Sequence, residues 1–226
     1  MTSRKRTRRT GALLHAAVVG ALTLTAAGCG GEDDEQPADT SVAAQRLCGG
    51  QAVSTEAAQV LELVMGTKRF EKSGEDSTVS AAAKAMGRNT STTEGDGTLC
   101  DIHPAGSADL DELTVEWSMD GTAPESGSVP QVSTVPRDAT RNEPPRRAHL
   151  TFACFGGREF PGSAPRYVTL SVGPRPLQIP DADAQDVRKA YATVAHSFSL
   201  ALAKELGCKD DGGLATKPAL PTAGKG

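Results

Sequence analysis

The sequence predicts an α+β domain: an antiparallel sheet with amphipathic helices near both ends of the domain and two disulfides. Three observations carry this. Helical hydrophobic spacing occurs near Ser54 and again after Asp181, and alternating strand-like segments lie between them. Cys48, Cys100, Cys154 and Cys208 recur at separations of 52, 54 and 54 residues.

The elements follow in chain order. In "LCGGQAVSTEAAQVLELVMGTKRF", Ser54 is the N-cap, Glu56 favours the helix N-terminus and Gly66 stops the helix. Ala57, Val60, Leu61, Val64 and Met65 fall at helical spacing, so one face packs on a core. A shorter helix is expected from Val79 to Met86, stopped by Gly87. "TLCDIHP" and "ELTVEWSM" read as strands, with Leu113, Val115 and Trp117 alternating onto one face, inward or against a ligand. Near 122–147 the chain turns rich in Pro, Ser, Gly and Arg, with Pro124, Pro130, Pro136, Pro144 and Pro145. Because proline cannot continue a hydrogen-bonded ladder, this reads as a surface connector. Arg137, Arg141, Arg146 and Arg147 gather at its end, a basic cluster read as a solvated loop. "RAHLTFACF" and "RYVTLSVG" are two further strands. "DADAQDVRKAYATVAHSFSLALAKELGC" is the strongest helix, capped by Asp181 or Asp183, ended by Gly207 and buried along Val187, Tyr191, Val194, Phe198 and Leu202. His196 lies beside that stripe and is expected to be partly exposed and not catalytic. Helix, two strands, connector, two strands, helix is satisfied by a sheet covered on one face.

Residues 45–208 thus form one domain of ordinary size. The tail 209–226, built of Asp, Gly, Pro, Thr and Lys, is expected to be disordered. Aromatics are scarce: one Trp, two Tyr and five Phe. A core of Ala, Val and Leu buries less area per residue than an aromatic one, so disulfides are needed to offset it. Each bridge between sequence neighbours closes a loop worth roughly 4 kcal/mol in the chain-entropy model. Cys48–Cys100 with Cys154–Cys208 is the expected pairing. The nested alternative, Cys48–Cys208 with Cys100–Cys154, stays open because it joins both helix ends and both central strands.

The N-terminal residues 1–28 read as a lipoprotein signal peptide. Arg4, Lys5, Arg6, Arg8 and Arg9 precede the apolar run Gly11 to Ala27, and no acid occurs before Glu32. That run is short for a membrane span, which needs about 20 apolar residues. Ala26-Ala27-Gly28-Cys29 resembles the bacterial lipobox, with Ala26 where Leu is usual. The resemblance implies lipidation of Cys29, a palmitate-type acyl anchor. Thr7-Arg8-Arg9-Thr10 also resembles the start of a twin-arginine export motif, but Gly11 and Ala12 stand where an aromatic and Leu are expected, so the export route stays open. Residues 29–44 are acidic and without hydrophobic period, a flexible tether with a reach of roughly 20 Å. Setting Cys29 aside leaves an even set of four cysteines, as an exported disulfide framework requires.

Removing the five bases of the leader from 24 leaves 19 against 28 acidic side chains, a formal net charge of −9. Such a surface is unsuited to nucleic acid, which demands cationic groups. It also repels anionic lipid, so membrane residence depends on the anchor.

No Gly-x-Ser-x-Gly, Ser-x-x-Lys with its partner motifs, His-Glu-x-x-His or phosphate-binding glycine loop occurs, so no catalytic residue is assigned. Asp101 and His103 sit two apart on an expected strand and share a face, a geometry a metal pair can use, but three isolated mature histidines are expected by chance and neither metal nor cofactor is assigned. "LCGGQAVSTEAAQVLELV", with a cysteine before an amphipathic helix, and "TLCDIHP", with a cysteine on a strand, together resemble small actinobacterial envelope lipoproteins of unknown function. The resemblance implies an extracytoplasmic domain on the outer face of the membrane and names no ligand. The expected function is therefore a lipid-anchored binding or structural module of the cell envelope, meeting an envelope protein or small ligand. The alternative is an exported hydrolase of wall polymer or peptide.

Overall fold

Alternation of apolar and polar side chains builds a five-stranded sheet, and a computed structural model shows how it is assembled. The structure describes residues 40–88, 94–106, 112–125, 129–136, 145–158, 160, 164–175 and 183–218, all within the compact unit Asp39–Gly226. The strands are β1 (Gly95–Ile102), β2 (Glu112–Asp120), β3 (Gln131–Pro136), β4 (Pro145–Cys154) and β5 (Arg166–Arg175), in the order β1-β2-β5-β4-β3 with every neighbouring pair antiparallel. The helices are α1 (Thr55–Met65), α2 (Val79–Arg88) and α3 (Ala184–Leu206). The α+β fold class and both bridges, Cys48–Cys100 and Cys154–Cys208, are as the sequence predicts, and the nested pairing is excluded.

Four expectations are corrected. The connector contains β3, read from sequence as irregular because of its prolines; Pro130 precedes the strand and Pro136 ends it. As an edge strand with only β4 beside it, β3 tolerates proline where a central strand does not. β2 finishes and β3 begins at the same end of the sheet. The domain begins before residue 45: Val42 and Phe70 exchange N–H···O bonds of 2.8 and 2.9 Å, and the Arg69 guanidinium holds Ser41 through its hydroxyl and carbonyl. A single apolar residue, Val42, left too little periodicity to read. The tail is ordered at least to Pro218. Lys209–Gly213 forms a short helical turn, Leu214 is buried, and Gly212, at φ 70°, sits where a Cβ would come within 2.6 Å of the Phe152 ring. Gly87 lies inside α2, which continues to Arg88.

Leu113, Val115, Trp117, Met119, Ala148, Leu150, Phe152, Val168, Leu170 and Val172 occupy one face of the sheet and are buried under the helices. Trp117 points inward, its ring packed over Gly97 on β1, where a Cβ would lie 3.0 Å from the indole. α3 crosses this face against β4 and β5, with α1 and α2 packed on it in turn. Its 23 residues are buried on the expected stripe and on a second side of Ala190, Ala192, Thr193, Ala195, Ser197 and Ser199, whose small side chains admit the neighbouring helices. Ser197 Oγ accepts the Ser54 N–H and donates to the Ala52 carbonyl, both at 2.8 Å, pinning the entry of α1 to α3. Ser54 caps α1 through the Ala57 N–H, and of the two candidate caps for α3 the structure selects Asp183.

The two bridges close the domain at separate places. One ties the turn before α1 to β1; the other ties the end of β4 to the residue after the α3 stop, Gly207. Beside the second, the Arg158 N–H bonds the Leu206 carbonyl at 2.8 Å and its guanidinium bonds the Glu205 carbonyl, which suits the negative end of the helix. A Cβ on Gly157 would stand 2.8 Å from that Leu206 oxygen. Cys154→Ser is expected to cost about 2–5 kcal/mol, and Gly157→Ala about 1–3 kcal/mol through overpacking, both read from guanidinium unfolding midpoints.

Candidate functional site

The other face of the sheet carries the polar half of each alternation. Asp96 and Thr98 stand on β1, Glu116 and Ser118 on β2, Tyr167, Thr169 and Ser171 on β5, Arg147, His149 and Thr151 on β4, and Ser133 on β3. Where the buried face is closed by helices, these residues are half-buried or exposed. Register makes them neighbours. Ser171 lies opposite Glu116 on one side and His149 on the other, so β5 carries a hydroxyl between a carboxylate and an imidazole.

The resulting bonds run across the strands. His149 Nδ1 and Ser171 Oγ are 2.7 Å apart, and Thr151 Oγ1 and Thr169 Oγ1 are 2.8 Å apart. The Arg147 guanidinium reaches over β5 to pair with the Glu116 carboxylate, each side chain about 30% exposed. Beside this ladder, Asp96, Thr98, Glu116, Ser118 and Ser171 line a shallow depression of about 280 Å³.

His149 is held below the usual histidine pKa, first by burial and then by the Arg147 charge, with Glu116 pulling the other way. The neutral imidazole is therefore favoured at pH 7, and its Nδ1 and the Ser171 hydroxyl form one hydrogen bond whose donor is set by the tautomer. A neutral imidazole on a serine is the beginning of a nucleophile–base pair. Acyl transfer also needs donors for the developing oxyanion. The N–H groups beside Ser171 belong to a strand paired on both sides, and the nearest cation, Arg147, is committed to Glu116.

Of the other residues singled out from sequence, Asp101 and His103 differ in backbone setting. Asp101 is on β1, with its N–H bonded to Ser77 Oγ, whereas His103 follows the strand and its carbonyl accepts the Glu71 N–H. Among the described residues no group of three or more His, Cys, Asp and Glu is placed to hold a metal ion, and no helix is long and apolar enough to cross a membrane. Cys29 lies outside the described residues, as do Arg137 and Arg141 of the basic cluster. His196, expected to be partly exposed, is buried, because α1 and the C-terminal segment cover that side of α3. Ser171 and Glu116 were not singled out from sequence. Their alternation with Leu170, Val172, Val115 and Trp117 was readable, but their meeting with His149 depends on strand order. Comparison with protein-family models, curated proteins and solved structures finds no match.

Both His149 and His196 have pKa values lowered from 6.5, burial being the main cause in each. The unfolded chain thus takes up protons before the folded one does. Their contribution to stability is complete above pH 6.5 and is lost as the pH falls through the folded values. Asp120, held below 3.8 by the Thr122 N–H and hydroxyl, acts only in a lower window. Melting temperature is expected to be level from pH 8 to 7 and to fall between 6.5 and 5. Replacing both histidines by Gln should flatten that acid-side slope in calorimetric scans.

Proposed function

We propose that this protein is a lipid-anchored binding module of the cell envelope, held at the outer face of the membrane through Cys29 and presenting the open polar face of its sheet. The observation that carries the anchor is the cysteine arithmetic. Cys48, Cys100, Cys154 and Cys208 are consumed in two bridges, and the fifth cysteine is the one at the end of the apolar leader, in Ala26-Ala27-Gly28-Cys29. An acyl chain contributes about 0.8 kcal/mol per buried CH₂. The acidic stretch after Cys29 separates the domain from the lipid surface.

The binding reading rests on the hydroxyl, carboxylate and imidazole groups of the open face and on the depression at Asp96, Thr98, Glu116, Ser118 and Ser171. A net negative domain with such a face suits a neutral partner rich in hydroxyl or amide groups, such as a glycan strand or a polar peptide. Cys29→Ser is expected to move the product from the detergent phase to the aqueous phase in a partition assay. Equal retention of wild type and variant would end the anchor model.

A second reading, an exported hydrolase, is favoured by the 2.7 Å contact between His149 and Ser171. Under the binding reading, wild type and Ser171→Ala release product from a chromogenic acyl ester and from wall peptides at the same background rate. A wild-type rate 10²-fold or more above that of Ser171→Ala would establish the hydrolase instead.

A further inference from the structure

Leu63 is the most exposed large apolar side chain among the described residues, at 70%. It stands near the C-terminal end of α1 and shares a side of that helix with Val60, three positions before it, and Val64 follows. Val60, Val64 and Met65 are half-buried against the core, so Leu63 projects to water from an apolar base.

The same end of the domain receives the chain from Cys29. α1 stops at Gly66, which is left-handed, and the chain turns where Thr67 Oγ1 takes the Arg69 N–H. Phe70 then bridges to Val42 on one side and Pro104 on the other, while Arg69 holds Ser41. Pro104 comes just after β1 finishes, which puts the tether entry and the end of α1 at the Ile102 end of the sheet. Phe155, the other exposed apolar side chain, follows Cys154 at the opposite end. The ten residues of β5 separate the two ends by about 30 Å, at about 3.3 Å per residue. Lys68, Arg69 and Lys72 are exposed at the entry end, three bases against Glu62 and Glu71, in a domain of net negative charge.

We propose that this end of the domain docks on the lipid surface, Leu63 entering the boundary between headgroups and acyl chains and Lys68, Arg69 and Lys72 meeting lipid phosphates. The inference rests on the anchored reading. Ten residues, 30–39, join Cys29 to Thr40, the first described residue. Fully extended they span only about 35 Å, and their r.m.s. reach is roughly 20 Å. The tether thus spaces the domain from the lipid while keeping its entry end, and not the Phe155 end, within easy reach of the surface. Linkage makes the second contact intramolecular, so one leucine with a basic rim suffices where a free domain of net negative charge would leave the membrane. An apolar side chain at acyl depth with bases at headgroup level is the arrangement interfacial segments use. Docked on the Ile102 end, the strands rise from the membrane and the open polar face is left to the outside.

The test joins the chain from Cys29 onward to a maleimide lipid through the Cys29 thiol, the one cysteine outside the two bridges. The vesicles are phosphatidylcholine with phosphatidylglycerol, brominated on the acyl chains. Because the link is chemical, the result does not depend on natural acylation, which the partition assay of Cys29→Ser decides separately. Leu63→Trp is expected to lose at least half of its added fluorescence to the brominated lipid. Phe155→Trp and the native Trp117, buried under the helices, should keep theirs. In the unsubstituted chain, amide exchange across 60–69 should slow at least threefold on vesicles, and Leu63→Glu should remove the slowing. That exchange measurement decides the matter if either tryptophan variant does not fold. Absent quenching in folded Leu63→Trp, equal quenching at both ends, or unchanged exchange would each overturn the proposal. So would a dimer of the unlinked chain in light scattering that Leu63→Glu dissolves, which would give the patch to a second copy.

Discussion

Burial of α3 between the sheet and the other helices is the constraint on which the rest of this domain depends. Val187, Tyr191, Val194, Phe198 and Leu202 are each nearly inaccessible to water. At about 1.5–3 kcal/mol for each large apolar side chain, this stripe contributes on the order of the whole net stability of a domain, about 5–15 kcal/mol. The sheet face that meets it, with Leu113, Val115, Leu150, Phe152, Val168, Leu170 and Val172 all buried, depends on the same contact. The flanks of that stripe can then be small, and the Ala and Ser residues there let α1 and α2 approach. Ser197 shows how a polar residue is admitted: it both accepts and donates, so the approach of α1 leaves no unpaired group at that point.

The disulfides act on the parts that α3 holds least directly. Cys48–Cys100 fastens the segment that enters α1, and Cys154–Cys208 fastens the chain leaving α3 to the end of β4. Beyond that second bridge the chain returns over the domain, with Gly212 against Phe152 and Leu214 buried, and covers the His196 side of α3. The C-terminal segment is thus part of the fold because the bridge and the Phe152 contact hold its first residues in place.

Committing one face of the sheet to α3 leaves the other for polar chemistry. Across this face, pairs of modest individual strength (Glu116 with Arg147, His149 with Ser171, Thr151 with Thr169) cover one another and fix side-chain positions. Cross-strand pairs contribute about 0.2–1 kcal/mol each, too little to define the fold but enough to order these side chains. The face presents donors and acceptors at a regular spacing along and across the strands. That spacing comes from the pleat and the strand separation.

Local chemistry was legible from the chain by itself. Caps and stops at Ser54, Gly66, Asp183 and Gly207, the helical stripe of α3, the alternation in β2, β4 and β5, and the even set Cys48, Cys100, Cys154 and Cys208 all follow from periods of 3.6 and 2 and from residue chemistry that acts over a few positions. Tertiary structure decided what depends on lateral order. It placed β5 between β2 and β4, which brings Ser171 between Glu116 and His149. It recruited Gln131–Pro136 as an edge strand despite its prolines, paired Val42 with Phe70, and folded the tail over His196. Hydrophobic period says which way a side chain points from its own element but not which element lies opposite. That is settled only when the sheet and helices bury their apolar faces together.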